Sequence, residues 1–381
     1  MSTDYVVLGT YPPTQCGLAT FSAALLGYLP RPGDRVGVVR VLDEPELEPA
    51  PLPPVVVADL VNGSVASTAA AVEVMNGYDV AIIQHEYGIY GGPDGQDLLP
   101  LMNALTVPVI VVLHTVLAEP TTWQRLILDE VISTASAVVT MTHTARDRVL
   151  DLYGTDPAKV TVIPHGAAES WASARSARRW PGRPHRVLTW GLLGPGKGIE
   201  YAIDAIGLLA TEGLRVEYTI AGETHPKVRA RTGEAYRQSL QQRARDRGVG
   251  GLVCFDDRYL PTEALTGLVG RAGAVLLPYD SLEQVTSGVL IEAVAAGKPV
   301  VSTRFPHAVE LLTGGAGLLV DRQDPAGIAA ALRQVFTERG RAAQMSRQAA
   351  AIAPGLLWPA VAASYRRMAA DLALIPTGAL Q

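Results

Sequence analysis

Short β-branched runs recur along this chain, each followed by a stretch of helical periodicity, and that rhythm restricts the fold more than any other feature. The runs are YVVLGT (5–10), DRVGVVRV (34–41), YDVAIIQ (78–84), VPVIVVLH (107–114), SAVVTMT (136–142) and KVTVIP (159–164). Strands alternating with helices predict a parallel, doubly wound sheet. The rhythm stops at HGAAESWASARSARRWPGRPHR (165–186), a Ser-, Pro- and Arg-rich stretch. It resumes with VLTWG (187–191), RVEYTIAG (215–222), GGLVCF (250–255), GAVLLPY (273–279), KPVVST (298–303) and GAGLLV (315–320). Two Rossmann-like α/β domains are therefore expected, residues 1–168 and 187–355, joined by an interdomain linker at 169–186. The length of 381 residues agrees with two domains of about 150 residues or more each. Ligands in such open sheets bind at the carboxyl ends of the strands, so two domains facing a central cleft are expected to hold the site between them. The acidic, Pro-rich segment DEPELEPAPLPP (43–54) reads as an exposed loop, and LLWPAVAASYRRMAADLALI (356–375) as a final amphipathic helix after Pro354.

Composition narrows the function classes. Hydrophobic residues make up 48% and charged residues 18%, enough to build two cores and too apolar for disorder. A net charge of −5 speaks against a nucleic-acid binder, though not against a local basic site. The two cysteines, Cys16 and Cys254, are far apart and predict no disulfide framework, as in a reducing cytoplasm. The first residues, MSTDYVVLGTYPP, lack the charged and apolar blocks of a signal peptide. The longest apolar stretch, 107–118, is interrupted by His114 and too short to span a bilayer.

Several turns carry chemistry. GLLGPGKGIEYAI (191–203) follows a strand directly. Its glycines, Gly194 among them, let backbone N–H groups approach a phosphate at a helix N-terminus, and Lys197 adds a full charge. It is not a P-loop, because the spacing and the Ser or Thr after the lysine are missing; a tight turn with a solvated lysine is the alternative. SLEQVTSGVLIEAVAAGKPVVST (281–303) is a second helix start, with Thr286 or Ser287 as cap, Gly288 open to a ligand, and Gly297 with Pro299 ending the helix. Glu292 lies inside that apolar helix, where an acid needs a partner: the vicinal hydroxyls of a ribose or a structural salt bridge. The turn GTYPPTQCGLATF (9–21) also ends in a helix start suited to a phosphate or sugar. His85 and Glu86 end one strand and His114 its neighbour, while His143 and His165 end later units. No close histidine pair marks a zinc site, and Asp256-Asp257 reads as a helix-entry turn rather than a metal site. No G-x-S-x-G occurs, and neither cysteine sits in a nucleophile motif.

The order CGLATF (16–21), QHE (84–86), VIPHG (162–166), WGLLGPGKGIEYAI (190–203), YTIAG (218–222), LPY (277–279) and EQVTSGVLIEAVAAGKPVVST (283–303) resembles the family 4 glycosyltransferases over nearly the whole chain. The resemblance implies the GT-B fold and a carboxyl-half domain that holds a nucleotide-sugar donor. It also implies an amino-half domain that shapes the acceptor site, and a last segment, 356–381, that crosses back to the first domain. It assigns donor phosphates to Lys197, the ribose to Glu292, and backbone N–H donors to Ser287, Gly288 and Val289. Gly17 is expected near the transferred sugar and His85 near the reacting centre. Gln15, Glu86, Tyr87, His114 and Glu283 are expected on the acceptor or sugar side. Two positions depart from the family pattern. Leu192 stands where arginine is common, with Arg258 and Arg304 as candidate compensating cations, and Gln284 replaces the first acid of E-x7-E, with Glu283 adjacent.

What the resemblance implies is retaining transfer of a hexosyl unit from a nucleotide-diphosphate sugar to a hydroxyl acceptor, by front-face attack with no cofactor and no catalytic metal. The alternatives are a nucleotide-sugar-binding protein without turnover and a GT-B nucleotide-sugar epimerase. Arg175, Arg178, Arg179, Arg183, Arg186 and Lys197 with Trp180 form a basic strip. A solvated linker is its simpler reading, and a weak peripheral contact with the inner face of a membrane the alternative. The oligomeric state is open.

Overall fold

The computed structural model describes residues 2–45, 52–171, 185–281 and 283–373. The chain folds as two compact units, one running to Gly166 and taking in the chain from Trp358, the other Ala167–Leu357. The expected linker lies mostly, and the strip Arg175 to Arg183 entirely, outside the described residues.

The first unit contains β1 (Tyr5–Gly9), α1 (Gly17–Leu26), β2 (Val36–Leu42), β3 (Val56–Val61), α2 (Val65–Met75), β4 (Val80–His85) and α3 (Leu98–Ala104). It continues with β5 (Val109–Leu113), α4 (Thr122–Thr134), β6 (Ala137–Thr140), α5 (His143–Tyr153) and β7 (Val160–Val162). The second unit contains β8 (His185–Trp190), α6 (Ile199–Thr211), β9 (Val216–Ala221), α7 (Pro226–Thr232), α8 (Ala235–Asp246), β10 (Val253–Asp256), α9 (Thr262–Arg271) and β11 (Ala274–Leu277). Then follow α10 (Gly288–Ala295), β12 (Val300–Thr303), α11 (Pro306–Leu312), β13 (Gly317–Val320), α12 (Pro325–Thr337) and α13 (Arg341–Ile352). The last helix, α14 (Trp358–Ala373), belongs to the first unit, where Arg366 donates to the Tyr28 carbonyl at 2.6 Å.

All strand pairs are parallel, in the orders β3-β2-β1-β4-β5-β6-β7 and β10-β9-β8-β11-β12-β13. The central strands are buried on both faces, as β4, β5, β6 and β11 show at every position. That explains why they read as unbroken apolar runs rather than as alternation. In each sheet the strand order reverses once, between β1 and β4 and between β8 and β11. A crevice opens at the carboxyl ends of such a pair.

Strand β3 was not among the expected strands, although the loop expected at 43–54 precedes it directly. Its placement answers a charge: Arg40 on β2 is fully buried and forms an ion pair with Asp59 on β3, Nε to Oδ1 at 2.9 Å. A buried guanidinium left unpaired costs several kcal/mol, roughly, so the edge strand supplies what β2 requires.

Candidate active site

In the second unit both expected ligand turns leave the carboxyl ends of β8 and β11, the pair at which strand order reverses. The β8 turn is built on backbone contact. Gly198 caps α6 with φ +63, and a Cβ there would lie 1.8 Å from the Pro278 carbonyl oxygen. The Asp280 N–H donates to the Gly196 carbonyl at 2.9 Å, so the glycine turn and the end of β11 lie against each other. This contact carries Lys197 to the β11 side, where its Nζ stands 4.3 Å from the centre of the Tyr279 ring. Burial lowers the lysine pKa, and no carboxylate among the described residues pairs with it. A partly desolvated ammonium with no counter-charge is suited to an anionic ligand.

The β11 turn ends at α10. Ser287 is the cap, its Oγ accepting from the Leu290 N–H at 3.3 Å, and Lys298 N–H to the Ala293 carbonyl closes the far end around Gly297. That is the expected glycine stop. The Ser287 N–H donates to Nδ1 of His307 at 2.8 Å. The expectation that Ser287 offers its own N–H to a ligand is corrected accordingly, because that donor is occupied. The Gly288 and Val289 N–H groups have no partner among the described residues. Thr286 Oγ1 is buried and also without one.

Glu292, half-buried on α10, does not form the structural salt bridge. No cation among the described residues pairs with it; the indole N–H of Trp190, at the end of β8, donates to its Oε2 at 3.0 Å. Burial pushes its pKa up to about 7, and the indole bond offsets only part of that. A carboxylate held by one neutral donor retains acceptor capacity for hydroxyls. Gln284 Nε2 donates to the Thr286 carbonyl at 3.1 Å, which leaves its second N–H and the amide oxygen; Glu283 is half-buried beside it.

Neither candidate for the missing arginine is a free cation. Arg258 is exposed and bound to Asp256, the last residue of β10, through two nitrogens, at 2.8 and 2.7 Å. Arg304 lies 3.4 Å from Asp321. Leu192 itself is half-buried.

In the first unit the expected residues gather at the ends of β4 and β5. His85 is 1% exposed, its Nδ1 has no hydrogen-bond partner, and burial pushes its pKa down to about 4. His114 Nε2 meets Gln84 Oε1 at 2.7 Å, and burial, with His165 and His85 nearby, pushes its pKa down to about 3. His165 bonds the Gly166 carbonyl through Nδ1 at 2.8 Å and is lowered to about 4 by burial. The Phe21 ring meets the edges of His114, His165 and Trp358 at 5.0, 5.1 and 5.1 Å, so α1, two strand ends and α14 share one aromatic cluster. Glu86 accepts from Thr115, and Tyr87 packs edge-on to His85 at 5.2 Å. Gly17 is the exposed first residue of α1 with open space before it, and Gln15 is exposed on the turn ahead. Trp190 and Tyr279 lie inside motifs that carried the resemblance, WGLLGPGKGIEYAI and LPY, without a role assigned to either; His307 is a site-building residue that no motif marked.

Parallel order, the two reversal points and the return of α14 define a chain of the GT-B class. Residues 16–171 match the family described as Glycosyltransferase Family 4, and residues 184–338 the one described as Glycosyl transferases group 1. The chain is 32% identical to D-inositol 3-phosphate glycosyltransferase of Acidothermus cellulolyticus over 273 residues, 66% of this chain and 59% of the relative. It is 31% identical to glycogen synthase of Mycobacterium tuberculosis over 217 residues, 56% of this chain and 49% of the relative. The chain thus spans about half to three-fifths of the length of these curated relatives. Anabaena HepE in complex with UDP and glucose superposes with a TM-score of 0.72 at 18% identity, covering 97% of this chain and 99% of that one. Sucrose-phosphate synthase from Thermosynechococcus elongatus gives 0.74 at 17% identity, covering 97% and 99%. This chain belongs to the family 4 glycosyltransferases. No helix among the described residues is long and apolar enough to cross a membrane.

Proposed function

We propose that the chain is a retaining glycosyltransferase that moves a hexosyl unit from a nucleoside-diphosphate sugar to a hydroxyl of a saccharide, glycolipid or small-molecule acceptor. The observation that carries this reading is the grouping at the β8/β11 reversal. Among the described residues, an ammonium without a carboxylate partner, two N–H groups without an acceptor at a helix start and a carboxylate without a cation stand at the carboxyl ends of β8 and β11 and on the helix that follows. Those are the complements of a diphosphate and a ribose. UDP is the first donor nucleotide to test, because the HepE structure contains it.

In this reading the acceptor oxygen bonds to the anomeric carbon on the face from which the diphosphate departs, and the acceptor proton passes to the departing phosphate oxygen. Lys197 and the Gly288 and Val289 N–H groups stabilise the charge that develops there. No paired carboxylates of the glycosidase kind are required. His85, neutral at physiological pH, serves as a hydrogen-bonding group for sugar or acceptor rather than as a cation.

The test is release of nucleoside diphosphate from UDP- and GDP-sugars with and without saccharide acceptors, with the anomeric configuration of the product read by NMR. Acceptor-dependent release with retention supports the proposal. Binding without release favours a sugar-nucleotide-binding protein, and a new nucleotide sugar formed without acceptor favours an epimerase.

A further inference from the structure

The turn opening α10 is held by a residue on another element. Ser287 donates its N–H to Nδ1 of His307 at 2.8 Å, and His307 is 3% exposed. A donor requires a lone pair opposite it, so His307 is neutral with its proton on Nε2. Its ring is placed by the junction of β11 and β12. Thr303 Oγ1 donates to the Tyr279 carbonyl at 2.6 Å, and the fully buried Phe305 stacks on Tyr279 at 5.3 Å, with Pro306 then starting α11. Tyr279 is the ring beneath Lys197, so the lysine and the turn are built on one support.

Ser287 is extended, with φ −142 and ψ 107, and its two ends are fixed by separate bonds: N–H to His307 and Oγ from Leu290. Between them lie the two N–H groups without partners, on Gly288 and Val289. The site also lacks the family's arginine, since Leu192 occupies that position and Arg258 and Arg304 face Asp256 and Asp321. With fewer cations, the aim of the two N–H dipoles matters more.

We propose that His307 is a positioning residue for the donor diphosphate, holding Ser287 so that the Gly288 and Val289 N–H groups stay aimed at it. This rests on the nucleoside-diphosphate reading above and extends it to a residue that makes no ligand contact itself. His307→Asn keeps an acceptor, Oδ1, close to the place of Nδ1; His307→Gln moves it a bond further out; His307→Leu fills the space without one.

Binding of UDP and of uridine is measured for the wild type and the three variants, alongside thermal midpoints. H307L is expected to weaken UDP about tenfold, as loss of a supporting partner does at other ligand sites, while uridine binding is unchanged. H307N is expected to stay within about threefold of wild type, and H307Q to resemble H307L. Wild-type affinity for UDP in H307L, equal losses of UDP and uridine, or an H307N as weak as H307L would each overturn the proposal. A wild type that binds neither UDP nor GDP sinks the donor reading instead. The local geometry is then judged by 15N NMR of the histidine, where an Nδ1–H tautomer at His307 overturns it and an Nε2–H tautomer supports it.

Discussion

The two reversal points present opposite chemistries. At β8/β11 the groups are charged or poised to be: among the described residues Lys197 has no counter-charge and Glu292 no cation. At the ends of β4 and β5 rings and an amide stand beside Glu86, and His85, His114 and, beyond β7, His165 are all held uncharged by burial. The helix starts differ in the same sense, since α6 begins at a glycine wedged against Pro278 and α1 at a glycine facing open space. On the proposed function, the first site would take an anion at a fixed place and the second would read hydroxyls.

The largest expected effect tests the helix starts. Gly198→Ala places a methyl against a backbone carbonyl at a left-handed φ and should cost about 3 kcal/mol of stability. Gly17→Ala should stay within about 0.5 kcal/mol, so any activity it loses reports on the space ahead of α1. Equal denaturant midpoints for the two variants would erase the contrast.

Next comes the cation. Lys197→Ala should lower turnover about a hundredfold or more with the fold retained by circular dichroism. Unchanged turnover would remove the phosphate assignment.

Proton linkage separates the units by sign. Glu292 titrates near 7 when folded, above the 4.5 of an ordinary glutamate. Between those values the folded state keeps a proton that the unfolded chain has lost, and stability falls as pH rises. The three histidines are depressed from 6.5 to about 4, 3 and 4, so the unfolded chain takes up protons first and stability is lost as pH falls below about 6.5. Hydrogen exchange between pH 4.5 and 6.5, corrected for intrinsic rate, should show protection rising with pH around β4 and β5 and falling around α10. Glu292→Gln should abolish the second trend alone. A common trend in both units would contradict the assigned burial.

The smallest effect belongs to Gln284→Glu. It replaces the donor to the Thr286 carbonyl with an acceptor and should cost about 1 kcal/mol, read from the urea midpoint. A shift in donor-sugar preference with it would place position 284 at the transferred sugar.

How much was legible follows from range. Thirteen strands run in the two sheets among the described residues, and twelve were readable as apolar runs; the central ones had to be, because a strand buried on both faces is apolar throughout. The exception, β3, is an edge strand whose placement depends on Arg40 and Asp59, nineteen positions apart. The ligand turns were legible because glycine, lysine and a helix start are consecutive in the chain. Their supports were not: Glu292 meets Trp190 across 102 positions, and Ser287 meets His307 across 20.

Two parallel α/β units and the glycine turns at their strand ends follow from local periodicity and backbone sterics, while Lys197 and Glu292 stood out through the resemblance to a family pattern. Only the tertiary structure decided that Glu292 has an indole rather than a cation for a partner, that the Ser287 N–H is occupied, and that Arg258 is tied to Asp256. These depend on which groups burial brings together, and a buried polar group must find its partner wherever the fold places one.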